Sequence, residues 1–382
     1  MEPFSLFKTK RRGKVFALLL ILVIELIGFV TYTADDIFIN NFNASSRELI
    51  SRIVESVVPN RLDGFKNSWE EFSETDTAVF LHIPKSGGGS FKDIFGDCLG
   101  LAVASEVGIQ DGHDQDTEIG IHHFGESNFG EGKYAEKRSK FVNVDTTTLP
   151  GLERAKHMGL IQSGLADVMV TRHLYEVNSL FDSQHKGRLF AVFRHPVERI
   201  ASTFSYLQLA DWEEAYSHNL AGMTLEEYAK TIYMDDNWLT RLLSDSEMVD
   251  VLTEKHLNLA KAVLRDKFIV GLLSRKKESM ARFEKFFQWN YKYSPKDQEK
   301  CRRTYLREGS NVKLRSYSET PEVGSRAYEL IAHRNHWDLR LYDFIKTLFI
   351  EQSIDLGVTE LFRWKNATCC TCDEPPTCDE EK

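Results

Sequence analysis

The sequence predicts an α/β protein: a P-loop-like, mostly parallel sheet flanked by helices, preceded by a single N-terminal transmembrane helix. Three observations carry this reading. Short apolar runs at 78–83, 168–171, 189–193 and 268–270 alternate with helix-like segments at 196–209, 225–234, 279–289 and 325–350. Two of the runs stop abruptly, TAVFLHIPKSGGGSF (77–91) in a lysine–serine–glycine loop and RLFAVFRHPVERIASTFSY (188–206) in Arg194-His195-Pro196. A third apolar run, 15–32, follows a basic N-terminus.

From the N-terminus, Lys8, Lys10, Arg11, Arg12 and Lys14 mark residues 1–14 as a cytoplasmic tail, and 15–32 as a signal anchor, the favoured reading over a cleaved signal peptide. The run is near the lower length limit for a bilayer span, and TYTADDIF offers a poor cleavage site. Residues 33–76 read as a polar stem broken by Pro59 and Asn60, 77–350 as the catalytic domain, and 351–382 as a cysteine-rich acidic tail. The stretch 105–140, rich in Gly, Asp, Glu and His, reads as long loops. In the last helical segment Trp337, Leu341, Phe344 and Leu348 recur at three and four residues, a stripe that packing explains without a ligand.

Both abrupt loops suit an anion. Glycines at 87, 88 and 89 let backbone N–H groups converge, and a helix start adds a favourable dipole. Lys85 supplies a mobile point charge, and Ser86 and Ser90 supply hydroxyl donors. The lysine precedes the glycines, the reverse of a nucleoside-triphosphate P-loop. In the second segment Pro196 fits a first helical position, Val197, Ile200, Ala201 and Phe204 form the core face, and Arg194 and Ser202 stay available to an anion. Arg199 either joins them or forms an ion pair. Three strand ends thus deliver chemistry to one sheet edge: Lys85, Arg172-His173 and Arg194.

These segments resemble the donor-binding motifs of sulfotransferases. HIPKSGGGSF is similar to their 5′-phosphosulfate loop (Lys85, Ser86, Gly87, Gly88, Gly89, Ser90, Phe91), and FRHPVERIASTFSY to their 3′-phosphate strand and helix (Arg194, Ser202). The nearer likeness is to Golgi membrane-bound carbohydrate sulfotransferases, particularly the heparan sulfate 2-O- and 6-O- group. It extends through DDNWLTRLL (235–243), AKAVLRDKFIVGLLSRKKESMARFEKFF (260–287) and HRNHWDLRLYDFIKTLF (333–349), the last two resembling the 6-O branch. Two positions depart from the family: Gly89 stands where Thr is usual, and His195 where the heparan enzymes usually have Asp. The second weakens the case for heparan sulfate as acceptor.

The resemblance implies a sulfotransferase fold and transfer of a sulfuryl group from 3′-phosphoadenosine 5′-phosphosulfate to a glycan hydroxyl, with a glycosaminoglycan-like acceptor. It implies a type II Golgi membrane protein with a luminal catalytic domain. In-line displacement at sulfur needs one base and a few fixed donors, so no metal is required. His173, in VMVTRHLYEV, occupies the place of the family's catalytic histidine. His122 and His123 are runners-up, and His82 reads as strand packing. Lys85 would stabilise the leaving phosphate, and Asn237, Trp238 and Arg241 are candidates for the cleft. The rival readings are a luminal nucleotide-dependent phosphotransferase and a noncatalytic glycan-binding protein.

Two sequons, at Asn43 and Asn366, fit a luminal stem and tail. Six cysteines, four of them in CCTCDEPPTC, fit an oxidising compartment, with pairing left open. The formal net charge of −9 is unexpected for an enzyme of polyanions, but Arg302, Arg303, Arg307, Lys313 and Arg315 offer a local basic strip. No basic–aromatic pattern points to nucleic acid.

Overall fold

Strand β1 (Thr77–Leu81) is buried along its whole length and sits between two parallel neighbours, which makes it the organising element of the molecule. The structure, a computed structural model, describes residues 60–124, 139–211, 216–289, 295–307 and 320–358. The expected anchor, both sequons and the terminal cysteine cluster lie outside them. Among the described residues no helix is long and apolar enough to cross a membrane.

The remaining strands are β2 (Ala102–Ala104), β3 (Ile121–Phe124), β4 (Ser139–Val142), β5 (Val168–Thr171), β6 (Gly187–Phe193) and β7 (Phe268–Leu272). They form one sheet in the order β3-β4-β2-β5-β1-β6-β7, parallel throughout except for β3 against β4. The helices in chain order are α1 (Gly88–Asp93), α2 (Leu149–His157), α3 (Leu160–Ser163), α4 (Pro196–Leu207), α5 (Leu225–Tyr228) and α6 (Trp238–Ser244). They continue with α7 (Glu254–Lys267), α8 (Lys276–Phe286), α9 (Pro295–Arg307), α10 (Arg326–Arg334) and α11 (His336–Asp355). The predicted mostly parallel sheet between helices is therefore present.

Side chains alternate across the strands, so each strand feeds two cores. Val79 and Leu81 of β1, with Leu189, Ala191 and Phe193 of β6, pack under α2, α6, α7 and α11. Phe80, Phe190 and Val192 face the other way, onto α1, α8 and α9. There Phe190 lies 5.1 Å from Phe80 and 4.9 Å from Phe283 between ring centroids. Each such buried ring contributes about 1.5–3 kcal/mol. A third cluster holds α4 against α5 and α10 through Val197, Ile200, Phe204, Tyr228 and Ile331.

A disulfide joins Cys98, in the π-helical turn that continues α1, to Cys301 of α9 across a sequence separation of 203. This is a pairing that the sequence leaves open.

Three expectations need correction. The 325–350 helix is two helices, because Asn237 Oδ1 accepts the N–H groups of Trp337 and Asp338 and starts α11 afresh after Asn335. The 225–234 helix stops at Tyr228, where the Thr231 hydroxyl bonds the Tyr228 carbonyl and competes with continuation. The 105–140 stretch contains the edge strand β3 and the start of β4, whose short half-exposed runs carry little apolar signal. In the predicted stripe, Leu341 and Leu348 are buried while Trp337 and Phe344 are partly so.

Candidate functional site

The parallel register brings the carboxyl ends of β1, β5 and β6 to one edge. The chain leaving β1 turns through Lys85 and Gly87, both in the left-handed region (φ 62° and 86°), before α1 begins at Gly88. A lysine in that region is uncommon and marks a constrained loop. A side chain is excluded at Gly88, whose Cβ would lie 2.2 Å from His82 Cδ2. These two glycines thus serve local packing as well as any anion. The first N–H groups of α1 have no acceptor within their own helix.

Arg194 Nη1 donates to the Lys85 carbonyl at 3.1 Å, and its Nε donates to Glu198 at 3.3 Å. Lys85 Nζ lies 4.0 Å from the centroid of the Tyr206 ring on α4. The two sequence segments therefore form one cradle. Ser86 sits in it with a buried hydroxyl oxygen that has no hydrogen-bond partner. A buried hydroxyl left unsatisfied costs about 1–3 kcal/mol, so an incoming acceptor oxygen there would be stabilised. Ser202 lies half-buried on α4, two helical steps of four beyond Arg194 through Glu198, and so shares their face. Ser90 is nearly buried and Gly89 partly exposed. The Phe91 side chain is fully buried against Phe80 and Phe283, so only its backbone could address the loop.

His195 sits at the N-terminal cap of α4 with its ring 5.5 Å from Tyr342 and 6.4 Å from Tyr328. Burial lowers its pKa, opposed by Glu198, so it is a neutral packing group.

His173 follows β5. Its N–H donates to Thr171 Oγ1 at 3.1 Å, and its ring Nε2 lies 3.2 Å from the Thr147 carbonyl. A carbonyl only accepts, so Nε2 carries the hydrogen and Nδ1 keeps the lone pair. The ring opens on a depression shared with Arg172, Tyr175, Arg241 and Glu247. Arg172 is exposed there, whereas Arg241 is held by Asp236 and by the Glu247 and Asp250 carbonyls.

Other candidates have structural partners. Arg199 pairs with Asp235 at 2.9 Å and lies over Trp238. Asn237 is buried and spends its side chain on Arg334, Trp337 and Asp338. Arg302 pairs with Glu284 at 2.7 Å, which withdraws it from a basic strip; Lys313 and Arg315 lie outside the described residues. His122 contacts Asp116, and His123 is exposed on the edge strand.

Sequence reasoning assigned His82 to packing, and the structure adds a placement beside the cradle. Its N–H donates to Thr171 O at 2.7 Å, extending the ladder past β1. Burial, then Lys92 and Arg172, lower its pKa to about 4, so the ring is neutral near pH 7. Lys92 in turn pairs with Glu106. The signal for this trio, one strand-end histidine and two residues on separate turns, is invisible without the fold.

No protein-family model matches the chain, and no curated protein matches it. Among solved structures it is similar to a mouse sulfotransferase, SULT7A1, complexed with PAP, at 12% identity and a TM-score of 0.33. That alignment covers 82% of this chain and 93% of the mouse one. A similarity this low decides neither architecture nor activity.

Proposed function

We propose that this chain is a sulfotransferase of sulfotransferase fold that moves a sulfuryl group from 3′-phosphoadenosine 5′-phosphosulfate to a glycan hydroxyl. The carrying observation is the Lys85–Arg194 contact, which puts the two motifs resembling 5′- and 3′-phosphate sites in one cradle. The unsatisfied Ser86 hydroxyl fits the same ligand.

In this reading Lys85, the Ser86 hydroxyl and the first amides of α1 hold the 5′-phosphosulfate, while Arg194 and Ser202 hold the 3′-phosphate. The acceptor hydroxyl gives its proton to His173 Nδ1 as its oxygen forms a bond to sulfur. The bond from sulfur to the bridging oxygen breaks, and the charge growing on the 5′-phosphate is met by Lys85. Adenosine 3′,5′-bisphosphate leaves. The acceptor is proposed to be glycosaminoglycan-like and the setting the Golgi lumen, with residues 15–32 as anchor.

The test is incubation of the full chain with radiolabelled donor and a panel of defined glycans, followed by mass spectrometry. Label transfer to a glycan, abolished in His173→Ala, is expected. Transfer unaffected by His173→Ala removes that residue from the base role, and transfer of phosphate from a nucleoside triphosphate instead refutes the donor.

A further inference from the structure

His113, Asp116 and His122 converge at the β3 end of the same sheet edge, away from the cradle. We infer that these three side chains form a binding site for one divalent transition-metal ion of the zinc class.

The donor atoms already have the spacing an ion needs. His113 Nδ1 lies 2.9 Å and His122 Nε2 3.4 Å from Asp116 Oδ2, and all three donor atoms fall within 4.8 Å of one another. Tetrahedral ligands about 2.0–2.1 Å from zinc are ~3.3 Å apart, so only small shifts would admit an ion. The two imidazoles stack with centroids 3.4 Å apart.

A supporting shell holds the triad. Asn143 Nδ2 donates to Asp116 Oδ2 at 2.7 Å and to the Glu118 carbonyl at 2.8 Å, while its Oδ1 accepts from Gly120 N–H. Arg154 of α2 donates to the carbonyls of His113 and Asp116 at 3.1 and 2.8 Å. The backbone bearing two of the three ligands is thus pinned by one guanidinium. His122 comes from β3, in register with Phe141 of β4. His123 points to the opposite face of the strand and takes no part.

Two imidazoles and a carboxylate favour zinc, cobalt, nickel or copper over magnesium or calcium. Three protein ligands leave a fourth position for water. The ion would clamp the edge strand β3 to the 106–115 segment, and the sulfuryl transfer proposed above neither requires it nor depends on it.

The full chain, stripped with chelator, is titrated with Co²⁺ and followed by absorption, then with Zn²⁺ by calorimetry. Expected is one high-affinity ion per chain, with ligand-field bands and no thiolate-to-cobalt charge transfer, which separates this site from the terminal cysteines. Binding weakens at least tenfold in His122→Ala and in Asp116→Asn, and about 10–100-fold in Asn143→Ala, whose side chain only supports a ligand. Circular dichroism of the stripped variants confirms folding, and a Zn²⁺-dependent rise in melting temperature, present in the wild type and lost in His122→Ala, gives a second readout. No cobalt bound outside thiolates, or undiminished binding in the His113→Ala/His122→Ala chain, overturns the proposal.

Discussion

Arg194 reaches across from the end of β6 to the Lys85 carbonyl at the end of β1, two residues 109 positions apart in sequence and one hydrogen bond apart in space. The same guanidinium is held by Glu198, so its charge is partly countered before any ligand arrives. The two cations of the cradle are each positioned by neighbours: Lys85 by Tyr206, Arg194 by Glu198 and the loop carbonyl.

Removing either cation should weaken nucleotide binding without unfolding the chain, since both are partly exposed. A charge-assisted hydrogen bond contributes roughly 1.5–3 kcal/mol, so Lys85→Ala and Arg194→Ala are each expected to raise the dissociation constant for adenosine 3′,5′-bisphosphate about 10–100-fold. Isothermal calorimetry on the two variants reads this directly.

Glu198 gives the opposite sign. Its carboxylate competes with a phosphate for Arg194, so Glu198→Gln should tighten bisphosphate binding by about three- to tenfold. Weaker binding in this variant would mean that Glu198 positions Arg194 more than it masks it.

His173→Ala should lower the turnover rate by about 10²–10⁴ while leaving bisphosphate affinity near the wild-type value, because the proposed base role involves the acceptor and not the nucleotide. Steady-state kinetics paired with calorimetry separates the two effects.

The buried histidine and glutamate give opposed pH signatures. His82 has a folded pKa lowered to about 4, below its unfolded value near ~6.5, so its contribution is complete above that value. It is lost as pH falls toward about 4, by roughly 2–3 kcal/mol. Glu284, buried beside Arg302, is raised to about 7, so the stability it adds is present in acid and lost as pH rises through about 7. Urea unfolding of wild type against His82→Gln from about pH 7 to 4 should show a smaller loss in the variant.

Much of the sheet was legible because its central strands are short apolar runs that end in charge. Val168–Thr171 matches its predicted bounds, and Gly187–Phe193 and Phe268–Leu272 extend theirs by two residues each. The strands β2, β3 and β4 were not legible: Ala102–Ala104 is three residues long, and Ile121–Phe124 and Ser139–Val142 mix polar with apolar residues where the four-residue Val168–Thr171 is nearly all apolar. At the site, the loop lysine and strand-end arginine were readable from local pattern. The triad around Asp116 is local in sequence, and only the turn into β3 brings its side chains together. The pairing of Asn237 with α11 depends on folding, since residues about 100 positions apart have no mutual signature. The Cys98–Cys301 bridge belongs to the same class.

That bridge closes a loop of about two hundred residues, so Cys98→Ser should cost about 2–5 kcal/mol and lower the melting temperature, with Cys301→Ser matching it. Thermal melts of both single variants and the double variant test this, since a true pair gives no further loss in the double.

The proposed function requires one cradle to grip both phosphate ends of a single nucleotide. Calorimetry of the full chain with adenosine 3′,5′-bisphosphate, beside adenosine 5′-monophosphate lacking the 3′-phosphate, addresses it most directly. One-to-one binding of the bisphosphate and at least tenfold weaker binding of the monophosphate are expected, a difference that vanishes in Arg194→Ala. Equal affinity for the two nucleotides, or no heat from either, would contradict it.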